Sequence, residues 1–181
     1  MAETAVAMGV GTIATLVLMY AFTQGIWIFR ANETEMWARN DGSSAIREIG
    51  NELECAETAR IYPDYTQIAG AEQNNGTCAR LTVPDLPNPA RTVTYYWNAP
   101  IAVGNGTTLG NIYSHTGTGT PDPATDNVLA RNVTTFEFRR NPNGTVRVGF
   151  ILGILGYPRR LFGAIEADRL RFTTSAIPRN P

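Results

Sequence analysis

The sequence predicts an α+β protein, with one long N-terminal helix packed on an antiparallel β-sheet domain. Three observations carry this. No charged residue lies between Val6 and Phe29. Ile46, Ile49, Leu53 and Ala56 then recur at three- and four-residue steps, the stripe of an amphipathic helix. After Pro63 the chain turns to short β-branched and aromatic runs separated by Gly, Pro and Asn. The expected organisation is an apolar helix over 1–29, an amphipathic continuation over 30–62 and a β-rich domain over 63–181.

The apolar half comes first. Val6–Phe29 exceeds the roughly 20 residues that cross a bilayer as a helix. Arg30 closes the run at one end and Glu3 stands at the other. A secretory signal would show a positive n-region and a shorter apolar core. No positive n-region precedes this run, so the expectation is that either the chain begins after processing or a leader lies outside the sequence, and that the span is retained. Glu3 has two readings. In one it rests inert in the headgroup region. In the other it pairs with a positive group from another chain, because a carboxylate facing hydrocarbon costs several kcal/mol. Arg30 is a full membrane away, so the free amine of a neighbouring copy is the fitting partner.

The amphipathic half is expected to run to about Arg60 and to stop before Pro63. Gly42 and Gly50 weaken that stretch without breaking it.

The β-rich part is read element by element. RLTVPDLPNPA reads as a strand end and a connection. RTVTYYW is a strand over about 91–97. A long Gly/Thr/Pro-rich excursion follows, around one short strand at Asn111–Ser114. NVTTFEFRR alternates, with Val133, Thr135 and Glu137 on one face and Thr134, Phe136 and Phe138 on the other. NPNG and TVRVGFIL complete the clearest hairpin in the chain. A late strand puts Leu170, Phe172 and Thr174 on one face. Four or five antiparallel strands are expected, packed on Ile46, Ile49, Leu53 and Ala56. GFILGILGYP is either a buried strand end or a contact between subunits.

Composition narrows the function. The chain has 181 residues, 17% of them charged, and a net charge of −1. That balance gives no footprint for nucleic acid. All the basic residues other than one histidine are Arg, which removes Lys as a Schiff-base nucleophile. Cys55 and Cys78 form an even pair with a polar, turn-rich segment between them. They are expected to form one disulfide worth about 3 kcal/mol, the alternative being two unrelated buried thiols.

No catalytic constellation is legible. His115 is the only histidine. It lies in the loop-like SHTGTGT and is read as a surface residue. A lone His makes a poor metal site, and no G-x-S-x-G elbow accompanies it. Asp122 and Asp126 lack the spacing of a calcium loop. Neither a metal nor a cofactor is expected. Five N-x-[ST] sequons are candidate glycosylation sites: Asn32, Asn75, Asn105, Asn132 and Asn143. About two would occur by chance. Asn75, Asn105 and Asn143 sit in Asn-Gly-Thr, which turn chemistry also explains.

The stretch ETAVAMGVGTIATLVLMYAFTQ resembles the apolar segment of type IV pilins and pseudopilins, the prepilin-type cleavage/methylation-domain proteins. Glu3 matches that family's glutamate, and Met8, Gly9, Val10 and Gly11 match its M-G-V-G run. The resemblance covers residues 1–60. It departs in two ways. The family usually has two more residues before the glutamate, and many members carry a proline in the apolar helix. Here Gly9, Gly11 and Gly25 are the candidate weak points.

The resemblance implies a structural subunit, not an enzyme. A prepilin peptidase removes a leader, the chain waits in the membrane, and assembly machinery builds a helical filament of identical subunits on the cell surface. Glu3 would pair with the N-terminal amine of a neighbour, acting as a register device more than as glue. The alternative is a minor pilin, a pseudopilin or a membrane-anchored binding module. An anchored enzyme is the least favoured reading, for want of catalytic residues.

Overall fold

In a computed structural model, helix α1 spans Ala2–Cys55 without interruption. At 1.5 Å per residue it is about 80 Å long. The structure describes residues 2–85, 88–98, 101–102, 108–153 and 169–179. After α1 come the strands β1 (Thr58–Tyr62), β2 (Asn75–Gly76), β3 (Cys78–Asp85), β4 (Asn88–Trp97), β5 (Ile101–Ala102), β6 (Thr108–Thr116), β7 (Asn127–Arg140), β8 (Val146–Gly153) and β9 (Arg169–Ala176).

The helix ends earlier than its sequence pattern suggests. Thr58–Tyr62, expected in the amphipathic helix, is strand β1, which pairs antiparallel with β3 from Thr58↔Thr82 to Tyr62↔Cys78. The β-branched and aromatic content of TARIY suits a strand. Ile61 continues the helical spacing but is buried through sheet pairing. The chain is therefore α+β as expected, with the boundary moved to Cys55.

The sheet is larger than four or five strands. Among the described residues, seven strands follow one another in the order β1-β3-β4-β6-β7-β8-β9, all neighbours antiparallel. Strand β5 pairs with β6, and β2 pairs with β7. The β2–β7 pairing curls the sheet, bringing β7 toward the β1 end. The Arg140 guanidinium closes this curl by donating to the Ala59 carbonyl.

The expected hairpin is present as β7 and β8, joined by a turn in which Gly144 has φ of 83°. The face assignment of Val133 needs correction. Val133 is fully buried, on the same side as Phe136 and Phe138. A bulge between Val133 and Thr135 inserts the extra residue that moves it there. Its neighbour Asn132 takes the left-handed conformation, φ 59°, which Asn tolerates better than most residues.

The core lies between α1 and the concave side of the sheet. Ala45, Ile49, Leu53 and Ala56 are buried against Phe136, Phe138, Val148 and Phe150, with Ile46 at the margin. Gly42 and Gly50 are also buried. A Cβ at Gly42 would lie 2.4 Å from the Phe172 ring, so these glycines let β9 approach the helix. Leu170, Phe172 and Thr174 are half-buried on one face of β9, as their alternation predicts. Phe150 and Leu152 make GFILG a buried strand end, and 154–158 of that apolar stretch lie outside the described residues. A second cluster of Tyr62, Cys78, Tyr96 and Tyr113 packs on the opposite side of the sheet.

Candidate functional site: an unpartnered apolar helix

Among the described residues, the exposed large apolar side chains gather on the first half of α1. Met8, Leu18, Phe22 and Phe29 each expose at least 70% of their surface. The most apolar window of this helix is not covered anywhere by the rest of the chain. A soluble monomer rarely exposes a contiguous apolar patch beyond a few hundred Å². The helix is long and apolar enough to cross a membrane.

Its polar groups are arranged for an apolar environment. Thr12 donates to the Met8 carbonyl, Thr15 to Gly11 and Thr23 to Met19, each at 2.8 Å. Each of these three threonine hydroxyls is satisfied within the helix, which removes most of the cost of burying it in hydrocarbon. Glu3 is exposed in the first turn, where the helix dipole favours a carboxylate. Gly9, Gly11 and Gly25 face open space. Gly25 floors a notch of about 470 Å³ between Phe22, Ile26 and Phe29. The exposed apolar surface continues past Arg30 to Met36 and Trp37, beyond the charge-free run of Val6–Phe29.

Both cysteines are free, Cys55 exposed and Cys78 buried. The expected disulfide is not made, for a geometric reason. Cys78 lies opposite Tyr62, at the far end of β1 from Cys55. Thr58 to Tyr62 alone spans about 13 Å, whereas bridged Cα atoms lie within about 7 Å. Burial pushes the Cys78 thiol up to about 12.

His115 is not a surface-loop residue. It lies in β6 opposite Thr94, with its side chain largely buried. Its Nδ1 is 2.7 Å from Asp126 Oδ1. Asp126 Oδ2 accepts from the Tyr96 hydroxyl at 2.7 Å and the Asp122 backbone N–H at 2.8 Å. Burial raises the Asp126 carboxyl, but the bonds from His115, Tyr96 and Asp122 outweigh it and hold the group below its ordinary value. Asp122 Oδ1 accepts from the Ala124 N–H. Asp126 clasps the 117–126 loop to the sheet, and Asp122 braces the loop from within. Among the described residues no nucleophile is bonded to His115, whose Nε2 is buried without a partner.

The sequons fall in different settings. Asn75 is exposed in β2. Asn143 is exposed in the β7–β8 turn, where its side chain accepts from the Thr145 N–H at 3.1 Å. Asn32 is exposed in the middle of α1, and Asn132 is exposed at the bulge of β7. Asn105 lies outside the described residues.

No protein-family model, curated protein or solved structure matches the chain. The class is therefore read from architecture. A long N-terminal apolar helix whose second half packs on an antiparallel sheet is compatible with a pilin-like fold.

Proposed function

We propose that this protein is a pilin-like structural subunit, held in a membrane by its N-terminal helix and then polymerised into an extracellular filament. One observation carries the reading. The helix that anchors the β-domain through Ile49 and Leu53 continues without a break into an apolar segment that the chain leaves uncovered. Such a surface requires either lipid or other copies of itself. Bundled copies exchange lipid contacts for one another without meeting water. Glu3 then neutralises the N-terminal amine of a neighbour and fixes the register of the bundle.

Electron microscopy of the sheared surface fraction tests this, with a Glu3→Ala strain beside the wild type. Filaments containing this chain, lost or shortened in the variant, are expected. A chain that stays in the membrane fraction, with no filament containing it, would replace the filament by a membrane-anchored binding module.

A further inference from the structure

The outward face of β7, β8 and β9 carries a groove of about 260 Å³. Gly149 forms its floor, between Glu137 on β7 and Thr173 on β9. Arg139 and Arg147 stand directly opposite each other at one end. Arg171 stands beside Ile151 at the other. Like charges opposite each other across two strands are destabilising. Yet among the described residues no carboxylate lies within ion-pair distance of these three arginines. With Glu137 included, the described residues that line the groove are net positive by two charges.

The opposite imbalance lies on α1. Asp41, Glu48 and Glu52 follow one flank of the helix, seven and four residues apart. Arg91 of β4 pairs with Glu52 and is the cation beside Glu48. Burial and the charge of Glu52 raise the Glu48 carboxyl, against the pull of Arg91. Asp41 has no ion partner among the described residues. Three carboxylates around one guanidinium leave the flank net negative by two charges. The spacings also correspond. Asp41 and Glu48 are about 10 Å apart along the helix. Arg147 and Ile151, the neighbour of Arg171, are about 13 Å apart along β8.

We propose that the arginine groove of one copy receives the acidic flank of α1 on a second copy. The inference rests on the filament reading and supplies it with a contact between β-domains. Groove and flank are different patches of one molecule, so the contact is heterologous. Each copy that engages keeps one free groove or flank, and the contact propagates as a filament does instead of closing as a dimer. The guanidinium forks suit carboxylates, and the pairing selects orientation more than it adds affinity.

Sedimentation velocity of the full chain in detergent micelles tests the contact. Detergent covers Val6–Phe29, so association reports on the surfaces beyond that segment, and the charge variants separate the groove and flank from Met36 and Trp37. The wild type is expected to associate, weakening about tenfold between about 50 and 500 mM salt. A groove variant, Arg139→Glu with Arg147→Glu, and a flank variant, Asp41→Arg with Glu48→Arg, are each expected to remain monomeric alone. Mixed in equal amounts they restore association, because the acidic groove of one now fits the basic flank of the other. If the groove variant fails to fold, Arg139→Gln with Arg147→Gln must weaken association about tenfold. A wild type that stays monomeric, a variant that associates as the wild type does, or a mixture that stays monomeric would overturn the contact. Association that survives while the sheared fraction holds no filaments would strike the helix-core reading alone.

Discussion

Gly42 of α1 and Phe172 of β9 are in contact, and the ring occupies the space a Cβ at position 42 would need. That Cβ would lie 2.4 Å from the ring and 2.9 Å from Leu152 Cδ1. Gly→Ala in a helix interior ordinarily stabilises by about 0.5–1 kcal/mol. At Gly42 the sign is expected to reverse. Gly42→Ala should cost about 1–3 kcal/mol through overpacking, measured by chemical denaturation of the full chain in detergent. Gly25, which meets nothing within 4 Å, is the control. Gly25→Ala should leave the β-domain's unfolding midpoint unchanged. Equal effects at the two positions would contradict the helix–sheet packing.

Leu53 is fully buried where α1 meets the sheet. Leu53→Ala should destabilise the domain by about 2–5 kcal/mol. The exposed Leu18, on the uncovered half of α1, should tolerate the same change with no loss of domain stability. Thermal unfolding followed by near-UV circular dichroism separates them.

Asp126 links the 117–126 loop to stability at low pH. Its carboxyl is held below the ordinary 3.8 in the folded chain, so the unfolded chain takes up the proton first as pH falls. Its contribution is present above that value and is lost as pH drops through the lower folded value. The wild type should therefore lose its stability advantage over Asp126→Asn as pH falls below about 4. Denaturation midpoints of both proteins across pH measure this. An advantage that persists unchanged at about pH 2 would show that the clasp is not ionic.

The thiols give a direct chemical test. Cys55 should react with a maleimide in the native protein, while Cys78 reacts only after denaturation, because it is buried and its thiol is pushed up to about 12. Two thiols should titrate in denaturant without reductant. Thiols that appear only after reduction would restore the disulfide.

What the sequence made legible follows from the range of the interactions involved. Phe136 and Phe138 alternate, and NPNG turns the chain, so β7 and β8 are specified within a few residues. Ile49 and Leu53 show a helical face for the same reason. Ile61 misleads, because it satisfies the helical spacing and the strand becomes favourable only once β3 pairs with it. His115 misleads because its partner Asp126 lies across a Gly- and Thr-rich loop. The arginine groove was invisible for a related reason. Arg139 faces Arg147 only through a cross-strand register, and Arg171 joins them from a strand beyond residues 154–168. The Gly42–Phe172 contact likewise joins residues 130 positions apart.

The decisive measurement is a helical reconstruction of filaments sheared from cells that express the full chain. Residues 6–29 of neighbouring copies are expected to lie together at the filament axis, with the β-domains outside and Glu3 within ion-pair distance of a neighbouring amine. Filaments in which residues 6–29 face solvent, or cells in which the chain is found only as a membrane-bound monomer, would contradict the structural-subunit reading.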